Sequence, residues 1–409
     1  MSLFNLIKVR VLLILVFLPF LTKAQQINNG ENDYVDTANN KDLIDCVNSL
    51  FHFRSQKITR RKGKKIYFSL LPTSASVPGG GKALITSTRA GFYLGNRRNT
   101  FLSSVSFSPY LNFKGRYSVS FRSDIYTNQN KWNVQGDTRF SLFPEFVYNK
   151  SNFADEVEKL PISYKYIRFY QTVLKQIKPY FLVGLGYNLD YHIGIRSLVD
   201  TVSFAKFVGY DYGTLPNTNS FSSGITLNLL YDLRKNSINP MPGYYFNLIY
   251  RVNPRYLGNG NNTWESIYFD ARKYFALKGN KKHLIATWFY VWSALNNGVP
   301  YLDLPGIGYE PNQRSGRGIE QNRHRGKTLM YLEGEYRSNI TSNGLLGYVV
   351  FANVNSVTGL DNGVFNALHP SIGTGLRIKF NKKSDTNIAI DYGISKSNSG
   401  FSFSLGEAF

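Results

Sequence analysis

Asp190 and His192 are the residues whose types and spacing come nearest to those of a catalytic pair. A carboxylate beside an imidazole can orient and activate a nucleophile, which would make the chain a hydrolase. Residues two apart on a strand point to the same side, so alternation alone accounts for their shared direction. No nucleophile elbow of the Gly-x-Ser-x-Gly type accompanies them. We therefore predict no enzyme activity and no catalytic residues.

Few residues of the sequence are suited to bind a metal or a cofactor. The five histidines are scattered without metal-ligand spacing, and Cys46 is the single cysteine. The segment 78–82 resembles a phosphate loop but lacks the Ser or Thr that must follow Lys82. We predict no metal site and no cofactor.

A stretch without periodicity, from Asn297 to Arg325, separates two good strand segments. Loops of that length are usually functional or disordered. Its glycines permit tight turns, and alternation along the next strand places Glu333, Glu335 and Arg337 on one face. An arginine from the loop could therefore meet a carboxylate, or could remain in solvent. The arginines are Arg314, Arg317, Arg323 and Arg325.

The first 24 residues have the layout of a secretory signal peptide, with Lys8 and Arg10 ahead of an apolar run at 11–21 and a small-residue cleavage site at Ala24. The run is too short to span a bilayer, and no later run reaches about 18 apolar residues. A terminal amphipathic helix or an uncleaved anchor is the alternative. In an exported chain, the net charge of +22 favours anionic lipid head groups or an acidic solute as partner, rather than nucleic acid.

From about residue 82 the chain is a series of segments that alternate apolar and polar residues. In Tyr180–Ile193, for example, seven apolar side chains fall on one face, and Asn188, Asp190 and His192 fall on the other. Fifteen such segments are clear, and 66–71 is a possible sixteenth. The length of the segments, their unpaired polar-face charges and the aromatic residues at their ends favour a closed antiparallel transmembrane β-barrel over a soluble sandwich or propeller.

The predicted division of the chain is a signal peptide at 1–24, a periplasmic segment at 25–81 and the barrel at 82–409. The middle segment contains one amphipathic helix near 43–51 and a basic stretch at 54–65. That stretch could contact lipid head groups or a periplasmic partner, or it could be a solvated linker. At the other end, Phe401, Phe403, Leu405 and Phe409 are predicted to share one face of a terminal strand, with Glu407 interrupting it. Such a strand resembles the recognition signal of outer-membrane proteins.

Several motifs resemble the outer-membrane assembly factor superfamily, which is the BamA/TamA or bacterial surface antigen family. They lie over roughly residues 180–409 and are Arg317-Gly318-Ile319, the strand Leu329–Arg337, Phe351–Val354, Gly373–Arg377 and Pro242-Gly243-Tyr244. The resemblance implies sixteen strands and a loop, about 297–325, that folds into the lumen. Two departures stand out. Ile319 replaces the family's aromatic residue, and Asn353 replaces an aspartate, so Arg317 would depend on Glu335 and neutral acceptors.

The chain has too few residues before the barrel for the family's periplasmic domains, so it resembles the subgroup without them. The resemblance implies an integral outer-membrane barrel that acts in protein insertion, translocation or envelope biogenesis. Its partners would be outer-membrane lipid, with substrate polypeptides or periplasmic proteins as further candidates, and a homo-oligomer is left open. The alternative is a narrow passive solute channel biased towards anions; a barrel-borne hydrolase ranks third.

Overall fold

The computed structural model describes thirteen stretches of the chain. They are residues 40–50, 66–77, 81–112, 116–142, 144–149, 159–234, 236–258, 262–277, 280–311, 313–365, 367–382, 384–396 and 398–409. The predicted signal peptide and the basic stretch at 54–65 lie outside the described residues. In the part that is described, no helix is long and apolar enough to cross a membrane.

Strands make up most of the described chain. They are β1 (Ile66–Val77), β2 (Gly81–Phe92), β3 (Ser103–Asn112), β4 (Arg116–Tyr126), β5 (Trp132–Leu142), β6 (Glu145–Tyr148), β7 (Lys159–Lys178), β8 (Phe181–Ser197), β9 (Thr218–Asp232), β10 (Gly243–Asn253), β11 (Trp264–Leu277), β12 (Asn280–Ala294), β13 (Thr328–Asn339), β14 (Leu346–Val357), β15 (His369–Asn381), β16 (Thr386–Ser395) and β17 (Ser399–Leu405). Two short helices accompany them, α1 (Leu43–Leu50) and α2 (Phe204–Val208).

The strands form one antiparallel sheet in which nearly every strand pairs with the next along the chain. The exception is β6, which continues β5 along the same edge of β7, so the two share one position. The seventeen segments therefore occupy sixteen positions of a nearly closed barrel, and the predicted all-β barrel is confirmed. The two ends of the sheet, β1 and β17, lie next to each other.

The barrel begins earlier in the chain than the sequence pattern indicated. Its first strand, β1, lies in the segment assigned to the N-terminal region, so the predicted boundary at 82 is too late. The possible sixteenth segment at 66–71 is thus part of a barrel strand that pairs with β2 along its whole length.

The outward face of the sheet is a continuous apolar surface. Leu185 and Leu227 lie directly opposite each other on β8 and β9 and are 64% and 45% exposed. Ile372 and Ile394 form a similar exposed pair on β15 and β16. A water-soluble monomer rarely exposes apolar patches of more than a few hundred Å². In a membrane, lipid acyl chains would cover this apolar surface and keep it out of water.

The inward face is polar, and many of its charges are paired, whereas the sequence suggested unpaired ones. On β8 and β9, Asn188, Asp190, Thr226 and Asn228 are all buried. The Arg272 side chain, for example, donates to Asp270 on the same strand at 2.8 Å. Because strand side chains alternate, one face carries the apolar residues and the other lines a lumen rich in ion pairs.

The predicted amphipathic helix is confirmed as α1, which lies at the barrel end that carries the short β15–β16 turn. Asp42 and Asp45 cap its first turn reciprocally: the amide of Asp45 donates to Asp42 at 2.8 Å and the amide of Asp42 donates to Asp45 at 3.2 Å. Lys382 of the turn donates to Asp45 at 2.7 Å through its ammonium group. These contacts hold the start of the helix against the barrel.

Candidate functional site

Residues 295–327, between β12 and β13, enter the barrel and are called the lumen loop below. Its two limbs pair with each other. The amide of Ile307 donates to the carbonyl of His324 at 2.9 Å, and the amide of Asn322 donates to the carbonyl of Ile307 at 3.0 Å. The loop is therefore a folded element rather than an irregular strand connection. Its predicted entry into the lumen is seen in the structure.

Arg325 holds the base of the lumen loop together. Its guanidinium donates to the carbonyl oxygens of Tyr301 and Leu302 at 2.9 Å and to that of Leu304 at 3.1 Å. Asn322 accepts from the same guanidinium at 2.6 Å and donates to Glu145 of β6 at 2.5 Å. One buried cation thus donates to three carbonyls where the loop returns to the wall.

The tip of the loop is built around Glu310, which is fully buried. Its carboxylate accepts from the amide of Ser315 at 3.1 Å and from the hydroxyl of Ser315 at 2.5 Å. The Ser315 hydroxyl oxygen in turn accepts from Tyr290 of β12 at 3.0 Å and from the amide of Gly308 at 3.1 Å. These bonds fix the turn that presents Arg317 to the wall.

Arg317 reaches three carboxylates on the barrel wall. Its guanidinium donates to Glu333 at 2.9 Å and to Asp391 at 3.0 Å, and it also bonds to Glu335. The guanidinium carbon lies 3.7 Å above the centre of the Phe351 ring, a cation–π distance. Because Glu333 and Asp391 belong to β13 and β16, a single loop residue ties these two strands together.

The backbone beside Arg317 fits the wall as closely as its side chain does. Gly318 has φ of +87°, a conformation that favours glycine. It lies against Gly393 of β16, where an added Cβ would come within 2.6 Å of the Gly318 nitrogen. The carbonyl of Arg317 accepts from Asn353 at 3.0 Å and from Ser371 at 2.6 Å. Glycine at both positions is what lets the two backbones meet.

The structure brings all five predicted lumen residues together and corrects the expected pairing. Arg317 does meet Glu335, but Asn353 bonds to the arginine's carbonyl and not to its guanidinium. Asp391 and Glu333 supply further carboxylates, so Arg317 does not depend on neutral acceptors as had been predicted. Ile319, in the aromatic residue's place, packs in a buried cluster with Trp288, Tyr290 and Tyr331 among others.

The predicted terminal face holds along the strand but not at the last residue. Phe401, Phe403 and Leu405 share one face of β17, opposite Tyr392, Ile390 and Ile388. The strand ends at Leu405, and Gly406, with φ of +87°, turns the chain inward, so that Phe409 is buried away from this face. The prediction that Phe409 shares the face is therefore wrong, and a role in recognition stays a prediction.

Glu407, which interrupts the apolar pattern of the C-terminal residues, lies inside the barrel. Its carboxylate accepts from Arg377 at 2.7 Å and from Asn387 at 2.6 Å. Phe409 stacks near Trp288, with ring centres 5.2 Å apart, and its main-chain oxygen accepts from Arg337 at 2.9 Å. The turn at Gly406 makes these contacts possible.

Asp190 and His192, the pair considered for catalysis, are bound into the lumen network. Asp190 accepts from Tyr166 at 2.6 Å, from Tyr170 at 2.5 Å and from Arg251 at 2.7 Å. The His192 ring stacks on Tyr166 with centres 4.6 Å apart. Tyrosine and arginine donors thus occupy the carboxylate that a hydrolase would use to orient its base.

Asp303 of the lumen loop gives the docking of the loop a pH dependence. Burial, and then the nearby Asp190, raise the pKa of Asp303 to about 7, against the opposing effects of Arg251, Ser222 and Arg325. The docked state therefore holds a proton that the undocked loop releases near its ordinary pKa of 3.8. The contribution of this proton to docking is fully present below pH 3.8 and is lost as the pH rises through about 7.

We expect the Asp303→Asn variant to lose this part of the pH dependence. Thermal unfolding of the detergent-folded protein at pH 5 and pH 8 measures this pH dependence. For each protein, the unfolding temperature at pH 8 is compared with that of the same protein at pH 5. The unaltered protein should lose more stability between the two pH values than Asp303→Asn does. Equal losses of stability in both proteins would contradict the role of Asp303 in the pH dependence.

Comparison with known proteins supports the fold. No family model matches the chain, and no curated protein matches it. Among solved structures, BamA from Haemophilus ducreyi lacking POTRA domains 1–3 aligns with a TM-score of 0.52 at 14% identity, covering 85% of this chain and 70% of that one. CdiB from Acinetobacter baumannii aligns with a TM-score of 0.51 at 11% identity, covering 84% and 65%.

CdiB from Escherichia coli is a third similar structure, with a TM-score of 0.50 at 11% identity. It is matched over 81% of this chain and 58% of its own length. At these identities the likeness concerns the fold. The barrel therefore resembles those of BamA and CdiB.

Proposed function

We propose that the chain is an integral outer-membrane β-barrel of the BamA/TamA type, acting in protein insertion, translocation or another step of envelope biogenesis. In this proposal residues 1–24 are a cleaved signal peptide, outer-membrane lipid surrounds the barrel, and substrate polypeptides or periplasmic proteins are its partners. The protein has no enzymatic role.

The observation that carries the proposal is the lumen loop bound to two wall strands through Arg317. A passive pore needs an open lumen, whereas this loop is held there by three carboxylates and by a close backbone contact. The likeness to BamA and CdiB supports the same role. The adjacent sheet ends, β1 and β17, offer the place at which such a barrel could admit a substrate strand.

Depletion of the protein in its native cell tests the proposed role. Quantitative mass spectrometry of the outer-membrane fraction should show reduced amounts of one or more other barrel proteins. Expression of the unaltered chain from a plasmid should restore them. Normal amounts of every other outer-membrane protein after depletion would argue against an assembly role.

A passive anion channel is the second candidate, because a cavity of about 300 Å³ lined by several arginines remains beside the loop. Conductance in planar bilayers distinguishes the passive channel from the assembly role. A steady, large current through the unaltered protein would favour the channel.

A further inference from the structure

The lumen loop leaves part of the barrel interior unfilled. This cavity, of about 300 Å³, reaches from Asp303 and Tyr309 of the loop to Arg89 of β2 and to Phe409. Thirteen charged side chains line it. They are Arg89, Arg122, Arg168, Arg234, Arg251, Arg272 and Arg314, and Asp124, Asp137, Asp190, Asp270, Asp303 and Glu407.

Four of these arginines have carboxylate partners close by. Arg251 lies 2.7 Å from Asp190, and Arg168 lies 3.5 Å from the same residue. Arg234 and Arg272 pair with the aspartates two residues before them on the chain, at 2.9 Å and 2.5 Å. Their charges are compensated within the wall, and they serve to hold it together.

Of the other three arginines, Arg314 and Arg89 border the inward-turned segment 404–407, and Arg122 contacts the loop beside Arg314. Arg314 of the loop donates to the carbonyl of Glu407 at 2.5 Å and to that of Leu405 at 3.4 Å. Arg89 borders the same segment, because an added Cβ on Gly406 would lie 3.1 Å from its Nη1. Arg122 donates to Gln313, the residue before Arg314, at 3.3 Å.

Two of these three arginines, Arg89 and Arg314, have no ion-pair partner among the described residues, whereas Arg122 has one. No carboxylate of a described residue lies within 4.0 Å of Arg89 or Arg314. Arg122 lies 3.6 Å from Asp137, which Arg139 and Arg168 share.

The remaining acids nearby are turned to other partners. The Glu407 side chain accepts from Arg377 at 2.7 Å, although its carbonyl faces Arg314. Asp124 accepts from Asn133 at 2.6 Å. Burying Arg89 and Arg314 without a carboxylate at ion-pair distance is costly unless an anion joins them.

We propose that this cavity binds a small oxyanion of the phosphate class, held between Arg89, Arg122 and Arg314. Guanidinium groups present planar forks of donors that match phosphate oxygens, and a dianion would neutralise most of the excess charge. The proposal rests on the cavity and its charges, and it does not depend on an assembly role.

Binding there would also hold the lumen loop in place. Arg314 belongs to the loop, whereas Arg89 and Arg122 belong to the wall, so one anion would bridge the two. A ligand that binds the docked state alone stabilises it in proportion to the logarithm of its concentration. Phosphate should therefore raise the thermal stability of the folded barrel.

Calorimetric titration of the detergent-folded full chain with inorganic phosphate, at constant ionic strength against chloride, tests the proposal. The unaltered protein should show saturable binding at one site. Arg89→Gln should weaken it at least about tenfold, which corresponds to about 1.4 kcal/mol. Arg255→Gln, at an exposed turn outside the cavity, should bind as the unaltered protein does.

A second wall variant, Arg122→Gln, serves if Arg89→Gln fails to fold, as judged by circular dichroism. Glycerol phosphate, titrated in parallel, distinguishes the sources: tighter binding than inorganic phosphate would assign the site to phosphate esters, and weaker binding to the free ion. The absence of saturable binding, or unchanged affinity in the folded wall variants, would overturn the proposal.

Discussion

Replacing Arg317 with alanine should release the lumen loop from the wall. The change leaves the fully buried Glu333 with Tyr331 as its remaining partner, while Glu335 and Asp391 keep their other arginines. Removing one partner of a buried ion pair typically costs about 3–5 kcal/mol. We expect a loss of stability of that order in the docked state, together with a lumen that opens.

Single-channel recording and limited trypsin digestion measure the release. The Arg317→Ala protein should carry longer and larger currents than the unaltered protein, and trypsin should cleave within 313–327 while the barrel stays folded. Arg323→Ala, on the same loop, is the matched control because Arg323 contacts the Tyr148 ring and not the carboxylates. Identical currents and identical resistance to trypsin in all three proteins would refute the role of Arg317.

Substituting alanine for Gly393 should prevent the loop from seating even though every charge is kept. The added Cβ would lie 2.6 Å from the nitrogen and 2.8 Å from the Cα of Gly318, and neither backbone can give way cheaply. Overpacking of a tight contact typically costs about 1–3 kcal/mol, and more where backbone atoms clash. The expected result is therefore a smaller version of the Arg317→Ala phenotype.

The matched control is Gly334→Ala on β13, since an added Cβ there meets no atom within 4 Å. Both variants should yield folded barrels with the heat-dependent shift in gel mobility expected of such proteins. Trypsin should cleave the loop in Gly393→Ala alone. If both variants resist trypsin as the unaltered protein does, the glycine contact is not needed for docking.

Alternation along the chain was sufficient to predict most of the strands and the directions of their side chains. The Tyr180–Ile193 segment became β8, with Asn188, Asp190 and His192 inside as predicted. The four-residue β6 was missed because so short a segment shows no period. The boundary at 82 was late because β1 contains Pro72 and a run of small polar residues, which weaken the pattern.

Pairing across the lumen could not be predicted from the sequence. Alternation placed Glu333 on the same face as Glu335, yet nothing local in the sequence connects Asp391 with Arg317, which lies 74 residues earlier. Their meeting depends on the register of β13 to β16 and on the depth that the loop reaches. The inward turn of Glu407 depends on Gly406, whose positive φ the sequence permits but does not require.

The outward apolar face and the inward polar face are the basis of the whole account, and neighbouring residues of β9 test them most directly. Leu227 points outward and is 45% exposed, and Asn228 lines the cavity. Single cysteines at these positions, with Cys46 replaced by serine, can carry a bimane label in vesicles that contain brominated acyl chains. We predict strong quenching of the label at 227 and little at 228. Equal insensitivity at both positions in the folded protein would contradict a lipid-facing barrel.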